Sequence, residues 1–155
     1  DPPRGGPTLP PEAAGADPDS RFGKFIRTEL LGAGAMGEVW KAWDTALSRW
    51  VALKLLKTHG DAEIALFRRE AHLAGRLSHP NIAAIHEVGD EQGRPYIAMQ
   101  WVDGRTLKSF SPGDRRGLVT LIRDASRALG YAHLHGVVHR DLKPTNLMFC
   151  RPRQG

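Results

Sequence analysis

The stretch "VVHRDLKPTNLMF", residues 137–149, sets a dense polar cluster between two apolar ends. Extended apolar backbone delivers His139, Arg140 and Asp141, and Lys143 and Asn146 follow at short fixed offsets. Asp141 has the chemistry to accept a hydroxyl proton, Lys143 to neutralise phosphate charge, and Asn146 to offer an oxygen to Mg2+. His-Arg-Asp alone is a coincidence-prone triplet. The longer "HRDLKPTN" is specific, provided that a phosphate-binding loop and a lysine-bearing strand precede it in order.

Working outward, residues 115–136 ("RRGLVTLIRDASRALGYAHLHG") place Leu118, Leu121, Ile122, Ala125, Leu129 and Ala132 on one helical face, with Gly136 as the stop. "NIAAIHEVG" and "RPYIAMQWV" read as a strand pair joined by the polar turn "DEQGR". Residues 61–78 change period: Ile64, Phe67, Ala71 and Ala74 recur at helical spacing, Asp61 is a suitable cap, and Pro80 ends the run. Before them, "FGKFIRTELLG", "GEVWKAW" and "WVALKLLK" read as three strands separated by turns. The expected product is a five-stranded antiparallel sheet with one helix, followed by mainly helical chain.

"LGAGAMGEV" supplies Gly32, Gly34 and Gly37 between two strands, where backbone amides approach a polyphosphate without side-chain interference. A dinucleotide-binding fold requires a helix after such a loop and an acidic residue about twenty positions on, but a strand follows and the window reads "ALKLLKT". A Walker loop requires Lys and Ser or Thr after Gly37, where Glu38 and Val39 stand. Lys54 interrupts an apolar strand between Leu53 and Leu55, and an ammonium there needs an anion. Glu70, between Leu66 and Leu73 on the first helix, is the expected partner if it lies along that helix's apolar stripe.

Composition excludes other classes. A net charge of +5 is scattered, without aromatic interleaving, so no nucleic-acid role is expected. No apolar run approaches the length of a membrane span. Cys150 is the only cysteine, which rules out intramolecular disulfides and fits a cytoplasmic setting, with any membrane anchor lying outside this sequence. Residues 1–20 hold six of the eleven prolines and almost no large apolar side chains, so they read as a disordered linker.

Taken in order, "GAGAMGEVWKAWD", "VALK", "FRREA", "LSHPNI", "YIAMQWVDG" and "HRDLKPTN" make the chain resemble the eukaryotic-like protein kinases, most closely the bacterial serine/threonine kinases, from about Phe22 to Phe149. The resemblance implies an α+β protein-kinase-like fold: an upper lobe over 21–102, then the start of a lower lobe over 103–155. It implies ATP and Mg2+ as cofactors and protein substrates bearing Ser or Thr hydroxyls, Lys143 favouring these over tyrosine. By the same resemblance Lys54 holds the α- and β-phosphates and pairs with Glu70, while Leu31, Gly32, Gly34 and Gly37 cover the nucleotide. Adenine lies between Val39 and Ala52 above and Met148 below, beside Met99, with backbone groups of Gln100 and Val102 on its edge and Asp103 near the ribose. Asp141 orients the attacking hydroxyl, Asn146 ligates Mg2+, and Arg140 implies control by a phosphorylated activation loop. No Asp-Phe-Gly or Ala-Pro-Glu occurs in the sequence, so the resemblance covers the N-terminal part of the domain and implies that this span is inactive alone. The alternative is a non-catalytic nucleotide-binding or regulatory module.

Overall fold

Alternation from Val51 to Leu55 in "RWVALKLL" decides the sheet: Val51, Leu53 and Leu55 are fully buried on one side, while Ala52 and Lys54 are half-buried on the other. The computed structural model describes residues 8–57, 60–109 and 115–150. By contacts the chain forms two units, Asp1–Arg68 with Ile85–Trp101, and Arg69–Ala84 with Val102–Gly155.

Among the described residues the first unit contains six antiparallel strands, β1 (Arg21–Phe22), β2 (Phe25–Gly34), β3 (Gly37–Asp44), β4 (Arg49–Leu56), β5 (Ile85–Glu91) and β6 (Arg94–Gln100), in the order β1-β2-β3-β4-β6-β5. The expected count was five. The sixth arises because Gly23, at φ +55, folds Arg21–Phe22 back onto Phe25–Ile26. Gln92 and Gly93 both have positive φ, the two-residue turn whose twist suits a hairpin between β5 and β6. Phe25, Ala42, Val51, Leu53, Leu55, Tyr96 and Ala98 form the core, with Phe22 and Trp40 against it. Tyr96 stands edge-on to Phe22 and Phe25, and its hydroxyl donates to Glu87 Oε1 at 2.5 Å. Burial, then that bond, pushes the Tyr96 hydroxyl pKa upward.

Residues 8–20, expected to be part of a linker, are ordered. Helical turn α1 (Pro11–Ala14) and a 3-10 turn at Pro18–Ser20 pack on the sheet, burying Ala13. Arg27 donates to the carbonyls of Asp19 and Ser20 at 2.7 and 3.2 Å, and Lys41 meets Glu12 at 2.8 Å. Composition misjudged this segment because its partners come from β2 and β3 rather than from itself. Residues 1–7 of the expected linker lie outside the described residues.

Helix α2 (Asp61–Ala74) buries Phe67 and Ala71, the centre of the expected stripe. It stops at Ala74 rather than at 78. Gly75 follows, a poor helix former, and Arg76 and Leu77 bond to the carbonyls of Leu73 and Ala74, three residues back.

In the second unit, β7 (Arg105–Thr106) pairs with β8 (Met148–Phe149), and α3 (Arg115–Leu134) buries Ala128 and Ala132. Gly136, at φ +75, ends the helix turn as expected: its amide reaches His133 O and that of Val137 reaches Ala132 O. The Tyr131 hydroxyl accepts from Ser78 N at 3.2 Å, tying the chain after α2 to α3. Among the described residues no helix is long and apolar enough to cross a membrane.

Candidate active site

The candidate residues fall into two sets, one in each unit. In the first unit the glycine hairpin is the β2–β3 turn, with Gly32 opposite Val39 and Gly34 opposite Gly37. Leu31 occupies the register slip between Leu30 and Gly32 and is exposed. Sheet register then aligns the rest: Val39, Lys54 and Ile97 form one cross-strand row, and Lys41, Ala52 and Met99 the next. Paired residues share a face, as do residues two apart, so Val39, Ala52, Lys54 and Met99 lie together on the side opposite the core. Lys54 Nζ lies 5.9 Å from the Phe67 ring centroid. Gln100, opposite Val51, ends β6.

In the second unit Val102 is half-buried and Asp103 exposed. The polar loop is ordered around Asp141. Lys143 Nζ stands 3.2 Å from Asp141 Oδ2, and Asn146 Nδ2 donates to Asp141 O at 2.7 Å and to Oδ2 at 3.4 Å. Asn146 is positioned by the 3-10 turn Pro144–Asn146, whose amide bond runs from Asn146 N to Lys143 O. The Lys143 hydrogen bond, followed by its charge and the bond from Asn146, holds the Asp141 carboxyl below the ordinary aspartate value. Asn146 makes these bonds through Nδ2, so its Oδ1, a hard neutral oxygen of the kind Mg2+ accepts, takes no part in them, and the residue type fits that ion. Met148 lies on β8 opposite Thr106.

Glu70, expected on an apolar stripe, is half exposed, and its Oε1 accepts from Arg140 Nη1 at 2.7 Å. The stripe runs through Phe67 and Ala71, and Glu70 flanks it. Arg140 itself has φ +60, an uncommon conformation for a residue with a side chain.

Comparison with known proteins gives this arrangement its family. The protein kinase domain matches residues 25–154. The chain belongs to the protein kinase family. It is 41% identical over 137 residues to serine/threonine-protein kinase PknD of Mycobacterium tuberculosis, covering 83% of this chain and 20% of that protein. It is likewise 41% identical over 134 residues to PknB of Mycolicibacterium smegmatis, covering 79% and 21%. The crystal structure of the Mycobacterium tuberculosis PknI kinase domain superposes with a TM-score of 0.67 at 31% identity, covering 84% of this chain and 57% of that one. The chain thus spans about a fifth of the length of the curated relatives it matches. The sheet and helices described above are the kinase fold, in the part of the domain that the sequence had suggested.

Sequence reasoning missed two features of this kinase chain. One is the Arg140 to Glu70 pair, separated by 70 positions. The other is a bridge from Glu38 to Arg94, 56 positions apart. For Glu38 and Arg94 the sequence signal was a charge on each of two strands, and for Glu70 and Arg140 a charge on a helix and one in a loop, all of which solvent satisfies equally well.

Proposed function

We propose that the chain carries the nucleotide-binding sheet and catalytic loop of an enzyme that transfers phosphate from Mg-ATP to serine or threonine hydroxyls of proteins. The observation that carries this reading is the ordering of Lys143 and Asn146 around the Asp141 carboxylate. Val39, Ala52 and Met99 offer an apolar face for adenine, Lys54 on the same face offers a cation for phosphate, and the amides of the glycine hairpin offer donors. Backbone groups of Gln100 and Val102, with Leu31, Asp103 and Met148, complete the proposed set.

Asp141 is ionised at neutral pH, and its lowered pKa makes it a poor early base. Its first task is therefore to accept a hydrogen bond from the substrate hydroxyl and hold that oxygen in line, taking the proton late. Lys143 neutralises charge on the terminal phosphoryl group as the hydroxyl oxygen bonds to phosphorus and the bond from phosphorus to the bridging oxygen breaks, releasing ADP. Asn146 offers Oδ1 to Mg2+, and when bound that ion offsets phosphate charge. Glu70 is proposed to support Lys54 when not engaged by Arg140. Residues 1–155 contain no Asp-Phe-Gly and so lack its metal-binding carboxylate. This span alone is expected to bind Mg-ATP weakly and to transfer no phosphate.

Calorimetry of residues 1–155 with Mg-ATP, and a transfer assay on a generic Ser/Thr protein substrate, test both parts. Saturable binding without turnover is expected. Turnover abolished by Asp141→Asn would contradict the inactivity of this span. In a longer protein carrying this chain, Lys54→Met should lower turnover on the order of 10²-fold or more at saturating Mg-ATP. Unchanged turnover there would remove Lys54 from its role.

A further inference from the structure

The glycine hairpin is held unequally on its two limbs. On the β2 limb, a Cβ built at Gly32 or Gly34 meets nothing within 4 Å, and pairing with β3 slips twice, at Arg27/Glu29 and at Leu30/Gly32. On the β3 limb contacts crowd. A Cβ at Gly37 would stand 2.0 Å from Leu55 O, and Met36 O accepts from Lys57 N at 3.2 Å. Glu38 Oε2 accepts from Trp40 Nε1 at 3.1 Å and from Arg94 Nη2 at 3.3 Å, and Arg94 Nε donates onward to Leu56 O at 3.2 Å.

Arg94 therefore joins the start of β3 to the last residue of β4 and the first of β6. Glu38 and Arg94 are only 28% and 32% exposed, so solvent screens the pair incompletely. The Trp40 hydrogen bond, with Arg94 behind it, holds the Glu38 carboxyl below its ordinary value against the opposing effect of partial burial. Next to Val39 along the strand, Glu38 points to the opposite side of the sheet from the nucleotide face. Its influence on a nucleotide must run through the backbone.

We propose that Glu38 and Arg94 are positioning residues for the glycine hairpin, fixing its β3 limb and so the place where the hairpin amides meet a polyphosphate. This rests on the nucleotide reading above. Because the pair fixes the backbone at residues 36–38 directly and Val39 only along the strand, its loss acts on the triphosphate more than on the base.

The test titrates the chain, Glu38→Gln, Arg94→Gln and the exchanged pair Glu38→Arg with Arg94→Glu, using Mg-ATP and, separately, adenosine. Amide exchange is followed over residues 31–38. Each single substitution is expected to weaken Mg-ATP about threefold to tenfold, to leave adenosine within about twofold, and to speed exchange at residues 36–38, with only partial recovery in the exchanged pair, which restores the ion pair but not the bonds to Trp40 and Leu56 O. Equal weakening of ATP and adenosine would reduce the pair to a general stabiliser and overturn the proposal. Unaltered ATP affinity in Glu38→Gln, beside a parent that binds ATP, would overturn it too. A parent that binds neither ligand would sink the nucleotide reading instead. Unaltered exchange at residues 36–38 in Glu38→Gln would sink the clamp whatever the ligand result.

Discussion

Glu70 and Arg140 form an ion pair of 2.7 Å within the second unit, their side chains 51% and 69% exposed. A pair so open to water contributes on the order of 0.2–1 kcal/mol. Arg140→Gln should therefore move the urea midpoint of unfolding by less than about 1 kcal/mol equivalent. If Glu70 supports Lys54 as proposed, freeing it should tighten Mg-ATP binding by about twofold to threefold. Weaker binding in Arg140→Gln, measured by calorimetry, would show that Arg140 helps the nucleotide rather than competing for Glu70.

The pH behaviour of Asp141 follows from Lys143. Its carboxyl titrates below the ordinary aspartate value chiefly because the Lys143 ammonium bonds the charged form. The sign is that of a depressed acid: the ionised form persists at neutral pH and is lost only as pH falls through the lowered pKa. Lys143→Ala should raise the Asp141 midpoint, read by NMR titration of its side-chain carbon. Asp141→Asn should leave ATP affinity within about threefold while lowering turnover of a longer active protein on the order of 10²-fold. An unmoved midpoint in Lys143→Ala would dissociate the two residues.

The three hairpin glycines should separate by measurement. Gly37 has φ +150 and no room beside Leu55 O, so Gly37→Ala should cost roughly 2 kcal/mol or more of stability. Gly32→Ala and Gly34→Ala meet open space and should change stability by less than about 1 kcal/mol, their effect falling on Mg-ATP affinity. Thermal unfolding of the three variants gives the order directly.

The sheet was legible in the sequence where burial enforces alternation, as at Val51, Leu53 and Leu55, and the glycine turn and α3 were legible from spacing. The C-terminal end of α2 was not, because Gly75 acts over one turn while a helical pattern is read over several. Strand β1 is too short to carry a period, and the order of residues 8–20 depends on Arg27 and Lys41, which no reading of the leader itself contains. Around the candidate site, Asp141, Lys143 and Asn146 are close in sequence and so were found together. Glu38 with Arg94, and Glu70 with Arg140, are long-range charge pairs that only tertiary structure brings into contact.

Strands β7 and β8 also bear on the timetable of folding. Their pairing, with Leu107 N bonded to Leu147 O at 2.8 Å, clasps together two points separated by all of α3 and the polar loop. Closing so long a loop costs chain entropy that only a handful of backbone bonds offset, so the clasp should form after α3, late on the folding path. A Cβ at Gly104 would stand 2.0 Å from Phe149 O, which makes Gly104→Ala a selective probe of this clasp. In stopped-flow measurements that substitution should accelerate unfolding and leave the refolding rate nearly unchanged. A slowed refolding limb would instead place the clasp in the folding nucleus.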